Sequence, residues 1–503
     1  MMKNVKNIIK NKNLVSNRAD TVNLAGGAAF TKSNTELLDQ FAMTGTLGCS
    51  FYATAEENTQ QALELLEKCS AEEIAPAIIK GRNEGFIRTF PILGLVELSK
   101  KDPIVFSVTF PQIIKTGNDL ADFIDICRSS RGLGRSIKRA IKDWLSLNTT
   151  PYYAQKYRKQ LADAIRLCRM PGDVDPIFGY ILGKYAYSVK GWDDSKENAA
   201  YQKYPELFAH DAFCKAIAEG KTQEALGILE RYRLDVDSLT AFYDRFDVFL
   251  WRKIAKLTPT MRFLKYLDKF NRSGVFANTD ILKKKINVEN LQKAKVFPFR
   301  LFTAWKNFCG GKVSDHLADV MDDYAEKYDW SSFNRFSWTI CPDVSGSMNA
   351  LCGSGLRFID IAGMFTAFFR KGLDDCQVIP WSDRTFDWKV PRRDSVFSQM
   401  QVLQRMGGGT DMSCALRKMI AENIKTDFCV FITDTEEYGE SWIDSWLKYR
   451  ERVNPRAEAF ILRSDSYITN PFPQDDAEKF GIHPIYGWND NVIKFMEYTV
   501  STK

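Results

Sequence analysis

Between Asn58 and Phe308 the apolar residues recur at three- and four-residue intervals. Ala62, Leu63, Leu65 and Leu66 form one such set, Ile74, Ala77, Ile78 and Ile79 a second, and Phe90, Leu93, Val96 and Leu98 a third, with Ile113 and Ile114 beyond them. That spacing lays an apolar stripe along one side of a helix. The breaks between sets fall at Gly, Pro or Asn, and β-branched alternation is scarce. The pattern predicts an all-α region of paired helices. Each pair must bury its stripe against a neighbour, so a curved, repeat-like array follows, although no strict repeat period is visible. Ahead of it lie a Gly-containing loop at Asn23–Phe30, a helix over Thr35–Met43 and a short extended piece ending at Phe51 and Tyr52.

From Phe336 the period changes. Phe336–Ile340, Cys376–Trp381, Phe428–Ile432 and Ala457–Leu462 read as buried strands, and Phe358–Phe369 and Val492–Tyr498 as helices between and after them. Alternating strands and helices predict a mostly parallel, doubly wound sheet. The chain therefore reads as multidomain, with an all-α helical-repeat part followed by an α/β part. At 503 residues it is too long for one ordinary core, and two or three domains are expected.

The first strand runs into Asp343-Val344-Ser345-Gly346-Ser347, a loop that a parallel sheet directs into its ligand crevice. Oxygen donors at alternate positions suit Mg²⁺, which takes octahedral oxygen ligands and retains waters. Gly407-Gly408-Gly409-Thr410-Asp411 offers a further hydroxyl on a backbone that can approach closely, and Phe431-Ile432-Thr433-Asp434 ends another strand on an acid. Helix capping would account for Asp343 and Ser345 alone, but not for Thr410 and Asp434 as well.

These three loops resemble the metal-ion-dependent adhesion site of von Willebrand factor A domains, over residues 331–503. The resemblance implies that Ser345, Ser347 and Thr410 contact a divalent metal, most simply Mg²⁺. Asp343 and Asp434 hold it through waters, and one coordination position is left for a ligand oxygen.

Charge is divided unevenly along the chain. The net formal charge is +6, yet residues 331–503 carry −3 and residues 1–330 carry +9. A polyanion partner for the front part follows. Within it Arg131, Arg135, Lys138 and Lys142 fall at i, i+4, i+7 and i+11, a narrow stripe on a helix whose other side holds Ile137, Ala140, Ile141 and Trp144. Arg139 adds a further cation. Such a stripe without acids contacts phosphate well, and a merely solvated face is its competitor. Lys156, Arg158, Lys159, Arg166 and Arg169 follow closely.

Asn23-Leu24-Ala25-Gly26-Gly27, Phe41–Thr46, Phe51-Tyr52, Arg131–Trp144 and Ala294–Phe299 resemble, in order, the TROVE module. TROVE followed by an A domain is the layout of the Ro ribonucleoprotein family. The resemblance implies a basic arm at 1–20, a helical (HEAT-like) RNA-binding domain at 21–310 that closes into a ring, a linker at 311–330 and the A domain at 331–503. It also implies small noncoding Y-like RNAs as partners on the outside, and misfolded RNAs whose single-stranded ends enter the central hole. Of the Lys, Arg and His used for Y RNA in the family, Lys156 matches the Lys, and Arg158 or Lys159 the Arg. Arg169 stands at the His position, a departure.

Other functions are less well served. No apolar run of about eighteen residues occurs, so no membrane span is expected. Met1–Arg18 is basic and lacks the apolar core of a secretory signal. The eleven cysteines are scattered without Cys-x-x-Cys spacing, as in a reduced, cytoplasmic protein. The three histidines, His210, His316 and His483, are far from every oxygen-bearing loop in sequence, which disfavours a Mg²⁺-dependent hydrolase built on Asp343. A module that recruits a protein through its metal, such as an exonuclease, is the alternative to RNA binding, and both can hold.

Overall fold

The computed structural model describes residues 14–503 except 46, 49–52, 171–173, 185–192, 242–244, 297, 309, 353–354, 464 and 489–490. Most of the basic arm, with Thr46, Phe51, Tyr52 and Phe297 of the expected motifs, lies outside the described residues.

From Asn34 to Lys327 the described elements are helical. Several starts are written locally. Ser33 with Glu36, Thr54 with Glu57, Ser70 with Glu73 and Thr116 with Asp119 each close a reciprocal capping box, which satisfies N–H groups that a helix start leaves without partners. Helices pack on those near them in sequence: Ala71–Asn83 lies against Asn34–Thr44, Thr89–Lys101 and Pro103–Ile113. Their stripes merge into one core from Leu38 to Leu207. A second core begins at Ala209 and continues through Tyr324 into Trp338, Ile340, Val430 and Phe460 of the C-terminal sheet.

That continuity corrects the expected linker. Residues 311–330 carry a 16-residue helix, Lys312–Lys327. Val313, Leu317, Val320, Met321 and Tyr324 recur at helical spacing and are buried, so the segment packs against Pro298–Lys306 on one side and Phe358–Gly372 on the other. The two halves share apolar surface rather than a tether.

The strands are β1 (Thr21–Val22), β2 (Ala28–Thr31), β3 (Trp338–Pro342), β4 (Cys376–Val378), β5 (Phe428–Thr433), β6 (Glu458–Arg463), β7 (Thr469–Asn470) and β8 (Ile482–Tyr486). Among the described residues, β4-β3-β5-β6-β8 form one sheet, parallel throughout. Side chains alternate between its faces. Trp338, Ile340, Phe428, Val430, Ile432, Phe460 and Leu462 join the core shared with the helical part. Cys341, Cys429, Phe431, Ala459 and Ile461 pack on the other face against Trp442, Trp446 and Tyr449. Strand β8, at the sheet edge, was not expected. It contains Pro484, which cannot donate to a ladder and so settles at an edge.

The start of the chain returns to the C-terminal domain. β2 pairs antiparallel with β7, with Phe30 opposite Asn470 and Thr31 opposite Thr469. Beneath that pairing Asp465 accepts two hydrogen bonds from Arg463, at 2.9 Å each, and stands 3.8 Å from the Lys32 ammonium. Lys32 also donates to the Tyr467 carbonyl at 2.6 Å and to Gln40. Glu36 accepts from Asn470 at 2.9 Å, and Ser466 donates to Asn58 at 2.9 Å. Burial, and then the charge of Arg463, hold the Lys32 pKa well below the usual lysine range. Asp465 thus faces two fully buried basic side chains, Arg463 and Lys32.

Asp465→Ala leaves those side chains without that carboxylate. The expected outcome is a loss of about 3–5 kcal/mol in denaturant unfolding, with earlier protease cleavage in the segment before Asn34. An unchanged midpoint and digestion pattern would contradict this account of the closure.

Candidate functional site

Three loops at the C-terminal ends of β3 and β5 and before the Ser413–Ala421 helix come together. Asp343 ends the first, where its Oδ1 accepts the Ser345 N–H at 2.8 Å and its Oδ2 accepts the Thr433 hydroxyl at 2.7 Å. The Ser345 and Ser347 hydroxyls are 3.1 Å apart. Gly346 N–H donates to the Gly408 carbonyl at 3.0 Å, which lays the glycine loop beside the first. Gly408 has φ +147°, and a Cβ there would sit 2.4 Å from the Ser382 Oγ, so only glycine fits. Tyr438 N–H donates to the Thr410 carbonyl at 3.1 Å and joins the third loop to the second.

All five expected ligands, Asp343, Ser345, Ser347, Thr410 and Asp434, are buried. Both Asp434 carboxylate oxygens are buried without a partner at hydrogen-bond geometry. Burial pushes the Asp343 carboxyl up to about 6. Burial, and then the charge of Asp343, push Asp434 well above the carboxylate range, and the nearby Ser347 hydroxyl offsets this only in part. Two carboxylates and three hydroxyls enclosed together make a hard-oxygen donor set that a divalent ion fits. Among the described residues no group of three or more His, Cys, Asp or Glu could hold a metal, so this site would depend on its hydroxyls.

The opening motif of the chain, which offered no chemistry in sequence, docks here. Asn23 Nδ2 donates to the Glu437 carbonyl at 2.6 Å, and Leu24 N–H donates to Glu436 Oε2 at 2.6 Å. A Cβ on Gly27 would lie 2.2 Å from the Glu437 carbonyl oxygen. Burial raises Glu436 to about 7 and Glu437 to about 8. No sequence signal linked Asn23–Gly27 to this loop, because the two are more than 400 residues apart.

The cationic residues divide into two groups. The helix Arg135–Asn148 presents Arg135 and Arg139 exposed and Lys138 and Lys142 half-buried, and none of the four has a carboxylate partner among the described residues. Ile137, Ala140, Ile141, Trp144 and Leu145 form its buried side. The helix Arg158–Cys168 packs against it, with Lys159 and Arg169 exposed. The buried Cys168 thiol, pushed up to about 11 by burial, feels the charges of Lys138 and Lys142, so these basic residues adjoin.

Arg131 departs from the expected stripe. Gly132 (φ +79°) turns the chain after the Gly117–Ser130 helix, and the basic helix begins only at Arg135. The Arg131 guanidinium donates to the Ser99 hydroxyl at 2.7 Å and to its carbonyl. Lys156 is also engaged, 2.8 Å from Asp237 and 2.8 Å from the Tyr152 hydroxyl. Burial works against its charge, but those two bonds outweigh it and raise the pKa above the usual lysine range. Arg158 lies over the Tyr180 ring and reaches its hydroxyl at 3.2 Å.

Adding Mg²⁺ should raise the thermal midpoint, by the equivalent of about 2.7 kcal/mol at a hundredfold excess over the dissociation constant. Asp434→Asn should abolish that response without lowering the metal-free midpoint, since it removes one of two buried like charges. A wild-type midpoint indifferent to Mg²⁺ and Mn²⁺ would count against the metal.

No sequence-family profile matches the chain. It is 24% identical, over 456 residues covering 83% of each chain, to the RNA-binding protein RO60 of Deinococcus radiodurans. Its fold is similar to the crystal structure of the Deinococcus radiodurans RO (RSR) protein, with TM-score 0.59, 17% identity, and coverage of 93% of this chain and 100% of that one. The likeness in fold to that RO protein runs through both the helical part and the α/β part.

Proposed function

We propose that this chain is an RNA-binding protein that acts as a ribonucleoprotein scaffold. The observation that carries the reading is the surface of Arg135, Lys138, Arg139 and Lys142, beside the exposed Arg169 at the end of the Arg158–Cys168 helix, with no carboxylate partner for the first four among the described residues. Cations in that state release condensed counterions when phosphate binds, so affinity is high at low salt and falls as salt rises. Contacts of this type read shape and backbone rather than base identity, which suits small structured, Y-like RNAs. The relative's printed name, an RNA-binding protein, supports a binding role over an enzymatic one.

In the fuller reading, the helical array closes into a HEAT-like ring through the β2–β7 pairing. Structured RNA sits outside it, and the single-stranded ends of misfolded RNA enter its hole in the course of RNA quality control. Arg131 and Lys156 then act as positioning residues, because each is already bonded within the protein. Among the described residues no helix is long and apolar enough to cross a membrane. Cys69, Cys127, Cys168, Cys214, Cys341, Cys376, Cys414 and Cys429 are reduced thiols, which suits a reducing cytoplasm.

The α/β domain supports a second role beside the first. Asp343, Ser345, Ser347, Thr410 and Asp434 would hold Mg²⁺, which when bound supplies a Lewis-acidic position for a partner's carboxylate. The orphaned oxygens of Asp434 favour this reading. An exonuclease or another protein would be recruited in this way.

Replacing Arg135, Lys138 and Lys142 together with Ala should weaken binding of a structured RNA severalfold or more, and lower the salt slope by roughly one per lost phosphate contact. The thermal midpoint should hold, since the three side chains reach solvent. Arg131→Ala should cost stability more than it costs affinity. Filter binding across a salt series reads both effects, and a flat salt response in the wild-type protein would overturn the electrostatic reading.

A further inference from the structure

A second cationic surface lies outside every motif discussed so far. The helices Val248–Leu257 and Asp280–Lys285 border a groove of about 810 Å³, lined by Arg252, Lys256, Lys284 and Lys285 with Asp280 as the one lining carboxylate. Among the described residues, Arg252, Lys256 and Lys284 have no carboxylate within ion-pair distance. Lys285 donates to the Thr258 carbonyl at 2.7 Å, the cap of the first helix. That bond ties the two walls together and places a positive charge at a helix C-terminus, where the backbone dipole favours it. Other grooves carry more acid. One between Gly117–Ser130 and Arg158–Cys168 mixes Arg128, Lys159 and Arg166 with Asp125 and Asp163, and one beside Lys312–Lys327 sets Glu289, Asp319 and Asp323 against Lys327.

The same helix carries Phe249, which is 67% exposed. Arg252 and Lys256 lie three and seven positions beyond it, so all three share one helix face. An exposed phenyl ring beside a row of free cations has no role in the core. It offers a flat apolar surface where a phosphate backbone would be held. Unpaired bases stack on such rings whatever their identity, whereas a duplex hides its base faces.

We propose that the groove between Val248–Leu257 and Asp280–Lys285 binds a single-stranded RNA segment, with Arg252, Lys256 and Lys284 on its phosphates and a base stacked on Phe249. The assignment rests on the RNA-binding reading and adds a strand-tracking site whose residues are all distinct from the Arg135–Lys142 surface. Lys285 positions the groove and need not touch the RNA.

The test uses the full-length protein, a fluorescent oligouridylate and a structured RNA, measured by anisotropy over a salt series. Arg252→Glu with Lys284→Glu should weaken oligouridylate binding at least tenfold and flatten its salt slope. Phe249→Ala should weaken it roughly five- to tenfold while leaving the salt slope unchanged, which separates stacking from charge. The triple Ala variant of Arg135, Lys138 and Lys142 should lose far less oligouridylate affinity than the groove variants do, and more affinity for the structured RNA. Circular dichroism melts should show all variants folded, since the substituted side chains reach solvent, and photocrosslinking of wild-type protein to the oligonucleotide should label peptides of Val248–Leu257. Unchanged oligouridylate binding by the groove variants overturns the site while RNA binding stands. Wild-type binding to structured RNA but not to oligouridylate overturns it likewise. Wild-type protein that binds neither RNA at low salt overturns the RNA-binding reading itself.

Discussion

The closure of the chain rests on one carboxylate. Asp465 sits beneath the β2–β7 pairing with Arg463 and Lys32, all three buried. Taking charges out of water costs several kcal/mol per ion, and only close, hydrogen-bonded partners recover it. The two bonds from Arg463 meet that demand, and the Tyr467 carbonyl and Gln40 complete the shell of Lys32. An apolar contact would tolerate sliding by a residue. A buried polar triad does not, so the register of β2 on β7 and the seating of the first helix are set together. The docking of Asn23–Gly27 on the loop of Glu436 and Glu437 accompanies that seating.

Electrostatics organises the rest in two opposite ways. The α/β domain gathers carboxylates where water is excluded: Asp343, Asp434, Glu436 and Glu437 all have raised pKa values, with burial as the leading cause. Such a site asks for a cation. Among the described residues, the helical part leaves Arg135, Lys138, Arg139 and Lys142 of one helix, and Arg252 and Lys256 of another, without ion-pair partners. Such surfaces ask for a polyanion. The uneven charge along the chain is the one-dimensional trace of this division.

Much of this was readable before the fold was known. The sheet strands showed because runs such as Phe428–Ile432 are apolar on both faces, and the donor loops showed because Asp343 and Asp434 directly follow them. What escaped has identifiable causes. The stripe from Arg131 to Lys142 ignored Gly132, whose left-handed backbone ends one helix before the next begins. The Lys312–Lys327 helix was passed over although Val313, Leu317, Val320 and Tyr324 repeat at helical spacing, because its polar side dominates composition. Strand β8 was hidden by Pro484. The β2–β7 pairing and the role of Gly27 depend on contacts between the two ends of the chain, and no local pattern encodes these. The exposure of Phe249 was not legible either, since periodicity alone does not say which apolar residue of a helix faces water.

The Lys32–Tyr467 contact spans 435 residues, and this bears on how the molecule is made. A ribosome adds roughly 5–20 residues per second, so Lys32 emerges on the order of a minute or less before its partner exists. Throughout that interval β2 has β1 on one side and an open edge on the side that β7 takes. A lysine at its end keeps the edge hydrated while it waits. The helices can pack as they appear, each on those already present, but the β2–β7 pairing must wait for a segment made more than 400 residues later.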